Sequence, residues 1–583
     1  MQFQDLLPRD INLNFTSVPK TIGNLKGATL SCTIAALKQK NQGPLLVVCQ
    51  DSSEARNLQD ELHALLPKIK IKIFSDYETL PYDRLSPHQD LISERLKILS
   101  SINSLQDGII ISPLMAILSR LSPIEFIKQR SFCLSTSDNI DLNSTKKELV
   151  EHGYLLVHGE FAIRGSILDI YPMGAKLPYR IDFLDDEVDS IRTFDVDSQR
   201  SLDKVDKISL LPAHEFPLDE DGISVFRSNY RNTFVGANLK NHVIYQAISK
   251  GAVPAGIEYY LPLFFSHTNT IFDYLNDKFN IVLLNNIEDN ARIFFEDAQN
   301  RALSLQGNPD HPALLASELF LNEKELGENL KKFKIISLYR EPLSLEDLSK
   351  RGFYNSDFEK LPDVSFNRND KNSFNKLIDF CANFIGKEKG RILLSAISEG
   401  RRQSLREIIP QILVDKYGLK AASSIQSFLE DENSLELTIS PYSEGLYSPK
   451  QKICFLTESE LLGFKVIKQR QSQNRSKLSE DTLIKNLSQL TEGQVVVHVD
   501  HGIGRYLGLK TLVIGGVKGE YLTIEYQNGD MLNIPITALN KVARYSGAEN
   551  PQLSRLGNDT WAKKKQKAAQ RVKDVAAELL DLY

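Results

Sequence analysis

The residues of this chain whose types and spacing best suit chemistry are arginines set into alternating strands. In segment 159–195, GEFAIRGSILDIYPMGAKLPYRIDFLDDEVDSIRTFD, Phe161 and Ile163 share one parity, while Leu168 and Ile170 share the other. The switch falls at Arg164-Gly165 and predicts a bulge or sharp bend that re-aims a side chain. In the next strand Tyr179, Ile181 and Phe183 point one way, and Arg180, Asp182 and Leu184 the other. A curved sheet with arginines on its open face is a docking surface more readily than a catalytic pocket. The plainer alternative is a solvated sheet face.

Catalytic constellations are harder to find. A nucleotide site needs GxxxxGK[ST] before a helix, because backbone amides must cradle phosphate and the lysine must reach its oxygens. The corresponding place reads TIGNLKGATLS (residues 21–31), where Gly23 and Gly27 stand one residue too close and Ala28 occupies the lysine position. Gly386-Lys387 lacks the upstream glycine, and no DExH-type acidic motif ends a strand, so ATP hydrolysis is not expected. His498 and His501 invite zinc, but no cysteine lies nearby and His501 falls in a Gly-marked turn. Arg401 and Arg402 open a helix, where a solvated face is the economical account.

The elements that must position these residues follow from patterning. A length of 583 residues predicts about four domains. With 42% hydrophobic and 25% charged residues, each domain can bury a core. A net charge of −5 excludes a chain that coats DNA with its whole surface. The five cysteines form no CxxC pair and read as buried core thiols of a reducing compartment. The chain start has no signal sequence and no apolar run approaches a membrane span, so a cytoplasmic protein without membrane contact is expected. From residue 21 the pattern alternates helix (27–40, 53–66, after Pro87) and continuous apolar strand (GPLLVVC, IKIFSD, GIIISP), which predicts a parallel α/β layer. The aromatics Tyr259, Tyr260, Phe264 and Phe265 read as core. Residues 344–372 turn polar and loop-like, and 374–463 form a second, small α/β unit. Residues 464–486 are basic and without apolar periodicity, hence a linker.

Residues 493–545 are a compact all-β unit in which Asn528-Gly529 marks a two-residue hairpin, suggesting an SH3- or Tudor-like barrel. Docking there is expected on a strand edge at Lys518, Gly519, Glu520, Tyr521 and Leu522, with Tyr521 or Leu522 as apolar anchor. A final helix spans 559–583. Ala568, Val572, Val575, Leu579 and Leu582 form its stripe, and lysines crowd its first half.

Segment 159–195 resembles the UvrA-binding domain shared by the excision-repair protein UvrB and the bacterial transcription-repair coupling factors. DVDSQRSLDKVDKISLLPAHEFP (195–217) and PAGIEYYLPLFF (254–265) resemble the coupling factors more closely. GQVVVHVDHGIGRYLG, GEYLTIEY and PITALNKVARY resemble the RNA-polymerase-interacting domain that they share with CarD-type regulators. The resemblance implies an N-terminal portion of that family. It comprises a degenerate helicase-like α/β domain (1–134 plus 213–345), an inserted α+β UvrA-binding domain (135–212) and a small α/β domain (346–463). A basic linker (464–490), a CarD-like barrel (491–548) and a helix (549–583) toward an ATP- and magnesium-dependent translocase motor on double-stranded DNA complete it. It implies UvrA contacts at Arg164, Arg180, Phe183 and Leu184, a position where the family commonly has an aromatic. It also implies polymerase contact through the β subunit, and a UvrA surface left uncovered because the family's masking C-terminal domain is absent. The rivals are a UvrB-like ATP-dependent DNA-repair enzyme and a CarD-type transcriptional regulator, which explains only residues 493–545.

Overall fold

The computed structural model describes most of residues 3–463, with its longest gaps near 155–160 and 367–373, and much of 493–555. The basic linker at 464–490 and the helix at 559–583 lie outside the described residues. Two compact units result, residues 1–468 and 469–583.

The first unit begins with β1 (Lys20–Gly23), helix α1 (Ala28–Lys40), β2 (Pro44–Cys49), helix α2 (Ser52–Leu65), β3 (Ile71–Ile73), helix α3 (Gln89–Leu99) and β4 (Gly108–Pro113). β2 and β4 are buried along their whole length, as continuous apolar runs require when helices cover both faces. Asp51 caps α2 by accepting from the Glu54 amide, so the helix starts where its apolar stripe Ala55, Leu58, Leu62 and Leu65 can reach the core.

The chain then leaves this layer for β5 (Phe132–Ser135), β6 (Phe161–Arg164), β7 (Ile167–Ile170), β8 (Tyr179–Leu184), β9 (Glu187–Phe194), β10 (Ser201–Val205) and β11 (Lys207–Leu210). It returns as β12 (Asn280–Leu284), β13 (Lys334–Leu338) and β14 (Phe353–Asn355). The returning strands complete a seven-stranded parallel sheet in the order β14-β1-β13-β12-β2-β4-β3. β14 lies beyond the boundary expected at residue 345: a three-residue edge strand in a polar stretch is too short to show a period. Residues Ile257–Phe264 form a 3₁₀ segment whose Tyr259, Tyr260 and Phe264 are buried, with Phe265 half-buried.

A second parallel layer follows, with β15 (Arg391–Ala396), β16 (Lys420–Ala421), β17 (Leu435–Ile439), antiparallel β18 (Leu446–Ser448) and β19 (Ile453–Thr457), ordered β16-β17-β15-β19-β18. One of its faces joins α1 and α2 in a shared apolar cluster that includes Leu393, Phe428, Tyr442 and Phe455. Four of the cysteines are buried, whereas Cys133 on β5 is exposed, against expectation. Among the described residues β5 pairs only with β11.

The second unit is a five-stranded antiparallel sheet of β20 (Val495–His498), β21 (Gly502–Ile514), β22 (Val517–Glu525), β23 (Met531–Pro535) and β24 (Val542–Arg544), ordered β23-β22-β21-β20-β24. Val496, Leu522, Ile524, Tyr526 and Val542 form its core. Tyr526 and Asp530 still pair through their backbones, so the β22–β23 loop holds three residues, Gln527, Asn528 and Gly529, and not two. Asn528 and Gly529 both take positive φ there, 69° and 81°. Among the described residues no helix is long and apolar enough to cross a membrane.

Candidate docking sites

The parity switch at Arg164-Gly165 is a hairpin and not a bulge. Phe161 faces Ile170 and Ile163 faces Leu168 across β6 and β7, so antiparallel pairing sets odd residues opposite even ones on one buried face. Gly165 and Ser166 make the turn, with Gly165 at φ 64°. By register, Arg164, Ile167, Asp169, Arg180, Asp182 and Leu184 share the sheet's outer face.

Arg180 is tied down on that face. Its Nε and Nη2 donate to the two carboxylate oxygens of Asp169 at 2.7 and 2.8 Å, and Nη1 donates to the Gln199 carbonyl at 3.1 Å. Its guanidinium lies 4.7 Å over the Phe194 ring. Hydrogen bonding to Asp169 raises its pKa further. Asp182 accepts from Ser190 at 2.9 Å and has Arg192 at 4.0 Å. The Arg164 side chain is exposed and makes no ion pair or hydrogen bond among the described residues. The Phe183 amide donates to the Ser166 carbonyl, which sets the β6–β7 turn beside the end of β8, so Arg164 and Leu184 lie at the same end of the face with β7 between their strands. Leu184 is 67% exposed next to Asp185 at φ 52°. Phe183, expected as a contact, is 5% exposed and belongs to the domain core with Leu168, Ile181 and Val188. Strand alternation turns it inward while its neighbour faces solvent.

In the second unit part of the expected edge is already paired. Residues 521–525 of β22 already pair with β23 on one side, and with β21 on the other the strand is paired along most of its length. Leu522 is 0% exposed and cannot be an anchor, while Tyr521 is half-buried. The β23 ladder stops at Pro535 opposite Tyr521. Lys518, Gly519 and Glu520 pair with β21 alone among the described residues. His498 is buried with its ring centroid 4.7 Å from that of His501, and no group of three metal-ligating side chains occurs among the described residues.

The loop between β1 and α1 is where a phosphate cradle would lie in a parallel nucleotide-binding sheet. It is filled by the second α/β layer. The Ala28 amide donates to the Gly445 carbonyl at 3.3 Å, and a Cβ on Gly27 would stand 2.5 Å from that same oxygen and 2.9 Å from Glu444 Cγ. Ser31, on the first turn of α1, hydrogen-bonds the Tyr442 hydroxyl at 2.9 Å. Arg401 pairs with the buried Glu458 at 2.7 Å, so this helix start already holds an internal carboxylate.

A helix-layered sheet with an inserted sheet domain and a filled cradle, together with a β-module, defines a multi-domain α/β protein. Residues 132–216 match the UvrB interaction domain, 380–461 the MFD D3 domain and 490–546 the CarD-like/TRCF RID domain. The chain is 38% identical over 97% of its length to the transcription-repair-coupling factor of Haemophilus influenzae and covers 49% of that protein. The Escherichia coli relative is also 38% identical over 97% of the chain, with 48% covered, and the Bacillus subtilis one 26% over 96%, with 48% covered. These matches support an N-terminal portion of a transcription-repair coupling factor, and the chain spans about half the length of the relatives it matches.

Proposed function

We propose that this chain is the adaptor portion of a transcription-repair coupling factor, lying N-terminal to the motor: it docks UvrA on the outer face of β6–β8 and the RNA polymerase β subunit along the β22 backbone at residues 518–520. The observation that carries the UvrA half is that Arg164 and Leu184 are both exposed at the same end of that face, where they offer a cation and an apolar anchor. Arg180 contributes by holding Asp169 and the sheet surface in place. The β-module is read as an SH3- or Tudor-like barrel. ATP, magnesium and double-stranded DNA belong to the translocase of the whole family member, acting in the cytoplasm. This segment is read as its coupling end, without ATP hydrolysis of its own. The filled β1–α1 loop supports that reading over a UvrB-like ATP-dependent repair enzyme.

Pull-down of the chain with purified UvrA and with polymerase β subunit tests the proposal. Both are expected to be retained. Arg164→Glu removes UvrA alone, and Glu520→Pro in β22 removes polymerase alone. Retention of neither partner by the parent chain sinks the adaptor reading.

A further inference from the structure

The segment by which the chain returns from the inserted sheet, residues 211–217, meets the start of α3 around a cavity of about 300 Å³ that neither docking surface uses. Its walls are apolar at Pro87, Ile92, Phe216 and Val253. Two carboxylates line it. Glu215 is buried and already held, by Arg95 Nε at 2.9 Å and the Tyr77 hydroxyl at 2.5 Å. Glu258 accepts from the Ser86 hydroxyl at 2.9 Å, and among the described residues no ion pair reaches it. Burial pushes its carboxyl up to about 7, the mark of an acid without a cation. Ser86, Gln89 and His214 complete the polar lining, and burial pushes His214 down to about 4, so it stays neutral and repels no positive charge. Its Nε2 is buried without a hydrogen-bond partner among the described residues.

We propose that this cavity binds a small organic cation, an ammonium or guanidinium head on a short apolar stem, with Glu258 as the counter-ion. The volume is at the lower end of that of small-molecule sites. One free carboxylate among apolar walls does not supply the several oxygens a hard metal ion takes, whereas an organic cation matches both the charge and the walls. The site lies between two attachments of the inserted domain. On α3, Ser93 Oγ accepts the Gly174 amide and Lys97 Nζ donates to the Gly174 carbonyl, each at 2.6 Å, while the Tyr154 hydroxyl donates to the Leu211 carbonyl at 2.7 Å. A ligand here bridges α3 and the return segment, independently of whether either docking surface works as proposed.

Isothermal titration of the full chain with n-butylammonium, n-butanol and butyrate tests this. Butylammonium is expected to bind at least about tenfold more tightly than the two others, the effect of one partly desolvated ion pair. Glu258→Gln, which keeps the Ser86 hydrogen bond, should bring it down to the level of butanol. Val253→Trp, at the exposed rim, should block binding without moving the unfolding midpoint. Absence of butylammonium binding, equal affinity for butanol, or unchanged affinity in either variant overturns the proposal.

Discussion

At the scale of single residues, the two arginines that looked equivalent in sequence do different work. Arg180 spends its donors on Asp169 and Gln199 and covers Phe194, and the Asp169 side chain is only 12% exposed. Arg180→Ala therefore leaves a largely buried carboxylate without its partner. It is expected to lower stability by about 1–3 kcal/mol in urea titrations, in contrast to the neutral effect that a solvent-facing arginine implies. Arg164→Ala and Leu184→Ala remove exposed groups and should change stability by no more than about 0.5 kcal/mol, yet both should weaken UvrA binding in surface plasmon resonance. Equal losses of affinity and stability in all three variants would reduce this face to scaffold. Alternation correctly separated Arg180, Asp182 and Leu184 from Tyr179, Ile181 and Phe183, so the burial of Phe183 was already legible in the strand pattern. What alternation lacks is pairing: nothing local distinguishes an arginine with a cross-strand aspartate from one without.

At the scale of elements, buried helices and strands were legible because their apolar runs are long: α1, α2, β2 and β4 fall within a residue or two of expectation. Short elements and turns were not. The parity change from Ile163 to Leu168 is the signature of a two-residue hairpin as much as of a bulge, and only the partner strand separates the two. Leu522 followed the same logic: an edge residue in sequence became a core residue once β23 paired beside it. The contact of α1 and α2 with the segment at 442–446 was invisible, since it joins residues far apart in the chain. It also perturbs a titration. Burial raises the Glu61 carboxyl on α2 to about 7, with a Ser31 hydrogen bond and Arg340 opposing the shift. Because the unfolded group ionises near 4.5, the native state holds the extra proton between those values. Stability from this group is full below about pH 4.5 and is lost as pH rises through about 7. Glu61→Gln, which cannot ionise, should gain about 2–3 kcal/mol over the parent at pH 8 and little at pH 4, since each tenfold change in proton affinity is worth about 1.4 kcal/mol. A difference that is flat with pH in paired denaturation curves would remove Glu61 from this account.

At the scale of the whole first unit, the filled β1–α1 loop is what turns two α/β layers into one scaffold. A phosphate cradle presents free amides at a helix start, and here the Ala28 amide and the space above Gly27 are taken by Gly445 and Glu444. Gly27 holds φ 57° and ψ −136°, a conformation open essentially to glycine alone. Gly27→Ala thus combines backbone strain with a Cβ 2.5 Å from the Gly445 oxygen, and is expected to cost about 2–4 kcal/mol. Because the displaced groups belong to different layers, faster amide hydrogen exchange should appear together at residues 28–31 and 442–446, with the inserted sheet β6–β9 unaffected. Addition of ATP with magnesium should not restore protection in the variant, since position 28 is alanine and supplies no lysine to a γ-phosphate. Recovery of protection on adding nucleotide would mean that a working site lies dormant beneath the 442–446 segment, and the scaffold reading of this unit would fall.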